Sequence, residues 1–186
     1  SYAEQSAIVP KEVLSDLAKI LTGDIEDMVE MYFSGQYLLF HYENTTVVTQ
    51  LVEGEYFHVK QMLSTDYETS ISVNRKQFME NIDRARILAR DNDKNPLIFK
   101  ITENYLFLKI ISDLGRMDAE IPIKKEGNEL MIAFNPNFLM DALQNIEEEE
   151  VSLYFTIPRS PVFIRDKEES YIYMILPVNF NADQVE

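Results

Sequence analysis

Three times along this chain a helix pattern is followed by three strand-like runs, and few folds accommodate such a repeat. The helical segments are VPKEVLSDLAKIL (residues 9–21), VNRKQFMENIDRARIL (73–88) and FNPNFLMDALQNI (134–146). Each carries apolar side chains on one face of a 3.6-residue turn. They are Val13, Leu14, Leu17, Ile20 and Leu21 in the first, and Phe78, Met79, Ile82 and Ala85 in the second. The third has Phe138, Leu139, Ala142, Leu143 and Ile146. Asn74 and Asn135 suit the N-cap position, and Pro10 and Pro136 suit a first helical turn.

After each helix, turn residues divide the chain into strands: Ser34-Gly35 and Glu43-Asn44 in the first copy, Glu103-Asn104 and 113–115 in the second, 158–161 and 166–169 in the third. Each copy therefore reads strand, helix, then three antiparallel strands, in units of about 60 residues, the size of half an α+β domain. The EGNE stretch at 126–129 is predicted to be a hairpin turn that keeps copies two and three in one sheet. The polar run KQMLSTDYETS at 60–70 reads as a connector. The expected organisation is half a domain over 1–64, a complete domain over 65–181 and a tail over 182–186.

The last folded stretch, YIYMILPVNF at 171–180, is apolar on both strand faces and is expected to be a central core strand. Pro177 has no N–H to donate, so pairing is predicted to stop there and leave Val178 and Phe180 free for a partner.

Composition removes several chemistries. The chain has no cysteine and only two histidines, His41 and His58, without HExxH spacing, so no zinc site or disulfide is expected. Five glycines form no phosphate-cradling loop, and no GxSxG elbow occurs. The carboxylates at 24–27 and 147–150 read as solvated turn residues rather than an acid and base pair. No cofactor and no catalytic residue is expected. No run of about 18 apolar residues exists to cross a membrane, and a reducing cytoplasm fits the cysteine count. The chain begins at Ser1 without a signal pattern, as expected of a fragment or processed product.

A net charge of −15 repels polyanions on average, yet the basic residues gather on helices: Lys11 and Lys19 on the first, Arg75, Lys76, Arg84, Arg86 and Arg90 on or just after the second. That pattern suits either an ordinary solvated face or a phosphate-facing one. The third helix, with Asp141 and no Lys or Arg, favours the former.

In order and spacing, VPKEVLSDLAKIL, LVEGEYFHVKQML, FMENIDRARILAR, IAFNPNFLMDAL and YIYMILPV resemble the bacterial DNA polymerase III beta-subunit (sliding clamp) family over residues 6–180. The resemblance implies a DNA clamp fold, with antiparallel sheets outside and helices lining the side that faces duplex DNA. It implies a non-catalytic processivity factor, a homodimeric ring when full length. Its partners would be the DNA polymerase III alpha subunit, the clamp loader and repair polymerases, docking through short peptides.

The peptide pocket implied by the resemblance comprises Phe57, Gln61 and Met62 from the connector, Asn135 and Phe138 at the third helix, and Arg159 and Pro161. Met174, Leu176, Pro177, Val178, Asn179 and Phe180 complete it. Phe57, Gln61 and Asn179-Phe180 depart from the Pro, Arg and terminal Arg-Leu frequent in the family. The implied subunit contact uses Ile87, Leu88, Asp118 and Glu120, and the implied DNA-facing residues are the helical Lys and Arg named above. A β-rich interaction module without DNA, or a hydrolase using the loop carboxylates, remain the alternatives.

Overall fold

The computed structural model describes residues 6–24, 26–56, 63, 66–89 and 95–180. It divides into two compact units, Ser1–Met62 and Leu63–Glu186.

The first unit holds helix α1 (Lys11–Ile20) and strands β1 (Glu30–Ser34), β2 (Tyr37–Tyr42) and β3 (Thr45–Gln50), paired antiparallel in the order β1-β2-β3. Of its expected leading strand, the described residues show one bridge, Ile8 to Val52. Pro10 occupies the N-cap of α1 rather than its first turn, and no side chain caps that end. The core is small: Leu17, Leu38 and Phe40, with Val9, Val13, Val29, Val47 and Leu51 packed against them. Of the stripe predicted to be buried, only Leu17 is; Leu14, Ile20 and Leu21 are exposed, because one helix on three strands meets too little apolar surface to cover them.

The second unit runs β4 (Thr69–Asn74), α2 (Arg75–Leu88), β5 (Leu97–Ile101), β6 (Tyr105–Ser112), β7 (Gly115–Gly127), β8 (Leu130–Phe134), α3 (Pro136–Leu143), β9 (Glu150–Phe155), β10 (Val162–Arg165) and β11 (Ile172–Ile175). Both helices start where the sequence places them. The Asn74 side chain accepts from the Gln77 N–H at 3.0 Å, the Asn135 side chain accepts from the Asn137 N–H at 2.9 Å, and Pro136 takes the first helical position.

The two modules form one eight-stranded sheet, ordered β11-β10-β9-β4-β7-β6-β5-β8. They hold it together by exchange: β4, which leads module two, pairs with β9 of module three, and β8, which leads module three, pairs with β5 of module two. The EGNE stretch is therefore not a hairpin. Strand β7 pairs with β6 over Gly115–Pro122 and with β4 over Ile123–Gly127, whereas β8 lies against β5. Pro122, lacking an N–H, stands where β7 changes partner.

The core of this unit is continuous, and the fully buried Phe78, Phe99 and Phe134 meet edge to face within it. The YIYMIL stretch is not a central strand. Strand β11 stands at the end of the strand order, with Ile175 buried and Ile172, Tyr173 and Met174 half-buried. Phe138 also leaves its predicted stripe: at about 100° per residue it lies a quarter turn from the centre of Leu139, Ala142, Leu143 and Ile146, and it is 57% exposed.

Candidate functional site

Helix α3 and strand β11 enclose an apolar concavity of about 360 Å³, lined by Phe138, Asp141, Ala142, Tyr173, Met174, Ile175 and Leu176. The backbone explains its shape. The β10 ladder ends with Val162 opposite Ile175, so Leu176 has no strand partner and stands 61% exposed. Pro177 follows, and then the Val178 N–H donates to the Ala133 carbonyl of β8 at 2.8 Å. Strand pairing ends before Pro177, as the sequence predicts, but Val178 is not left free: this single bond to β8 holds the chain end beside the start of α3.

Of the residues expected at a pocket, the structure brings Phe138, Met174 and Leu176 together. Asn135 caps α3, and Arg159 is exposed in the β9–β10 connection. Pro161, half-buried, precedes the residue that pairs with Ile175. Pro177 and Phe180 are half-buried and Asn179 is exposed, none of them in the lining of this concavity. Phe57, Gln61 and Met62 lie outside the described residues. Sequence reasoning missed Asp141, Ala142, Tyr173 and Ile175. Asp141 and Ala142 sit one helical turn after Phe138, a spacing that marks them as its neighbours.

Just before β11, burial pushes the Tyr171 phenol up to about 12, aided by the nearby Glu148 and Asp166 carboxylates. The raised value stabilises the fold fully below the ordinary phenol value of about 10, and that contribution is lost as pH rises from about 10 through about 12. Solvent screening holds it to about 1 kcal/mol. A phenolate absorbance titration is expected to lose its highest-pH component in Tyr171→Phe; an unchanged profile would contradict this.

Two of the carboxylates at 24–27 and 147–150, Asp27 and Glu150, are engaged structurally. Asp27 accepts hydrogen bonds from the Asp24 N–H at 2.9 Å and the Tyr42 hydroxyl at 3.2 Å. Glu150 is held below the usual carboxylate range by hydrogen bonds from Lys124 and Ser72. A carboxylate so held is a poor proton donor. Among the described residues no group of three or more His, Cys, Asp or Glu could hold a metal ion, and no helix is long and apolar enough to cross a membrane.

The helical cations divide by role. Arg75 donates to the carbonyls of Glu148 at 2.9 Å and Leu143 at 3.5 Å, tying the start of α2 to the end of α3. Arg86 donates to the Asn137 side chain at 2.9 Å, Arg84 to the Asn81 side chain, and Lys19 to Asp16 at 2.9 Å. Lys11 and Lys76 are exposed, and Arg90 lies outside the described residues. Opposite the buried stripe of α2 (Phe78, Asn81, Ile82, Ala85) the helix presents Lys76, Glu80, Asp83 and Ile87, a mixed face flanked by Arg84 and Arg86 on either side.

The expected subunit-contact residues share one region. Ile87 is exposed at the end of α2, and the Leu88 side chain lies 4.0 Å from where a Cβ on Gly115 would stand, at the start of β7. Over Gly115–Pro122, β7 has a strand partner, β6, on one side only among the described residues. Asp118 on this edge pairs with Arg116 at 2.9 Å, and Glu120 is exposed.

Comparison with known proteins agrees with this geometry. Residues 60–179 match the family model for the DNA polymerase III beta subunit, C-terminal domain, and residues 1–58 match its central domain. A beta sliding clamp of Staphylococcus aureus is 29% identical over 177 residues, 94% of this chain and 47% of the relative, and that of Staphylococcus epidermidis is 30% identical over the same span. The chain thus spans about half the length of the curated relatives it matches. A crystallised DNA polymerase III beta subunit from Eubacterium rectale is 45% identical, with a TM-score of 0.83 over 97% of this chain and 49% of that one. The beta subunit of Streptococcus pyogenes gives 28% and 0.81 over the same shares. With both family models matched in order along one repeated fold, the chain belongs to the bacterial DNA polymerase III beta-subunit family, the beta sliding clamps.

Proposed function

We propose that this chain is part of a ring-forming processivity clamp that tethers a replicative polymerase to duplex DNA and docks short peptides of partner proteins, with no chemical step of its own. Residues 1–64 would supply the second half of the clamp's middle domain and residues 65–181 its complete last domain. The observation that carries the reading is the concavity between α3 and β11, where Phe138, Met174 and Leu176 converge on a strand that has run out of partners. An extended peptide with one or two apolar anchors fits such a notch, and an unbranched thioether such as that of Met174 can repack around different anchors.

The tethering role is consistent with the charge pattern. Sliding needs weak, sequence-independent phosphate contacts, and α2 offers Lys76, Arg84 and Arg86 interleaved with Glu80 and Asp83 rather than a dense basic stripe. The half-paired edge of β7 beside Ile87 and Leu88 would serve as one side of a subunit contact in a full-length ring.

Deletion of residues 176–180 tests the docking site. Affinity for a peptide bearing Gln, Leu and Phe, measured by calorimetric titration, is expected to fall by roughly 10-fold or more with the circular dichroism spectrum unchanged. Undiminished affinity would refute the assignment. In a full-length ring, Arg84→Ala and Arg86→Ala are each expected to lower the salt slope of DNA retention by about 0.9 units.

A further inference from the structure

One side chain in the wall of the concavity between α3 and β11 has no part in holding the fold. Phe138, Ala142, Met174 and Leu176 make that wall apolar, Tyr173 adds a second ring, and Asp141 is the one charged residue among those that line it. Asp141 is exposed, and among the described residues its carboxylate accepts no hydrogen bond and meets no cation. The bond made at this residue is to its backbone, from the Asn145 side chain to the Asp141 carbonyl at 2.7 Å. Arg86 donates to Asn137, one turn before Asp141, but its ion pair is with Asp83 at 3.6 Å.

The place of Asp141 in the helix adds to its field. It lies in the last turn of α3, where the backbone carbonyls already set a negative potential and a cation is the favoured neighbour. That helix has no Lys or Arg of its own, and Glu147, Glu148 and Glu149 follow it. A cation brought to this end of the concavity therefore meets the helix terminus and the carboxylate together. The remaining wall suits the body of the same group. Lys and Arg carry apolar stems that lie along hydrocarbon while their heads reach a charge, and an aromatic ring attracts the head as well. A guanidinium fits best, because it stacks on a ring and meets a carboxylate with two N–H groups at once.

We propose that the segment docked at this concavity carries an arginine beside its apolar anchor, and that Asp141 selects it, with the stem along Ala142 and Met174 and the guanidinium on the carboxylate beside Tyr173. The inference rests on the docking reading given above and adds to it the charge of the ligand. A notch for apolar anchors alone has no use for a carboxylate in its wall, and charge complementarity names the residue that answers it.

Calorimetric titration of a Gln-, Leu- and Phe-bearing peptide tests it, with arginine or its uncharged isostere citrulline placed before or after the Leu. At one of these positions the parent chain is expected to bind the arginine peptide about 5-fold more tightly at low salt, the size of an exposed ion pair, and the preference is expected to shrink as salt is added. Asp141→Asn is expected to bring the ratio to about 1 without lowering the thermal midpoint, and Asp141→Lys to turn the preference toward citrulline. Asp113→Asn, in the exposed turn between β6 and β7, removes the same charge from the chain and is expected to leave the ratio unchanged. Equal affinities at both positions in the parent would overturn the inference, and the docking reading would still stand if deletion of residues 176–180 weakens the citrulline peptides. A ratio that survives Asp141→Asn, or one that falls as far in Asp113→Asn, would overturn the inference as well. Peptides that bind undiminished after that deletion would end both readings.

Discussion

Truncating Phe99 to alanine is expected to cost the second unit about 3–5 kcal/mol, measured as a lowered urea midpoint with an unchanged slope. The ring is fully buried on β5 and touches Phe78 of α2 at 5.8 Å and Phe134 of β8 at 5.2 Å, both edge to face. Its loss leaves a void where module two meets the lead strand of module three, and neither neighbour can collapse into it without disturbing the β5–β8 ladder. Domains of this size hold about 5–15 kcal/mol in all, so one truncation removes a large share. The effect reaches the candidate site, because β8 leads directly into α3 and Phe138. A cost below about 1 kcal/mol would show that the two modules do not share one core.

Gly127→Ala is expected to be nearly as damaging, by about 3 kcal/mol or more, for a reason of backbone rather than core. Gly127 ends β7 at φ +89°, and a Cβ there would stand 1.8 Å from the Glu68 carbonyl oxygen and 2.9 Å from the Thr69 Cα. The side chain's own conformational cost is about 1–2 kcal/mol; the remainder comes from forcing β4 away from β7. The same shift would break the reciprocal bonds between the Thr69 hydroxyl and the Asn128 backbone, at 2.9 and 3.1 Å. Gly35→Ala isolates the first contribution, since Gly35 has φ +57° and nothing within 4 Å of its Cβ position. Thermal melts of the two variants should therefore differ; equal losses would mean the approach to Glu68 relaxes at no cost.

Much of this architecture was legible because local signals and tertiary packing agree. The three helices, the buried stripe of α2, the Asn74 and Asn135 caps and the turns at Glu43-Asn44 and Asp113 to Gly115 stand where the sequence places them. What the sequence could not supply was the exchange between modules. EGNE has hairpin composition, but composition does not say that β4 already occupies the neighbouring edge of β7 and sends β8 to β5. The strand at 172–175 reads as central because both faces are apolar. It lies at the end of the strand order with its second face turned partly to solvent.

Phe138 illustrates the same limit on a helix. Its spacing fits the buried stripe, yet its angular position puts it on the margin, and it is this marginal side chain that meets Met174 and Leu176. In α1 the stripe is as regular as in α3, yet Leu14, Ile20 and Leu21 stay exposed, since a pattern records which side chains require cover and not what provides it.

The most direct test of the account follows the methionine methyl signals of the isotopically labelled chain by NMR while a Gln-, Leu- and Phe-bearing peptide is titrated in. Saturable displacement of the Met174 methyl, with Met117 on β7 unmoved, is the expected result. Saturable binding that leaves Met174 undisturbed would place the docking surface elsewhere and contradict the role assigned to α3 and β11.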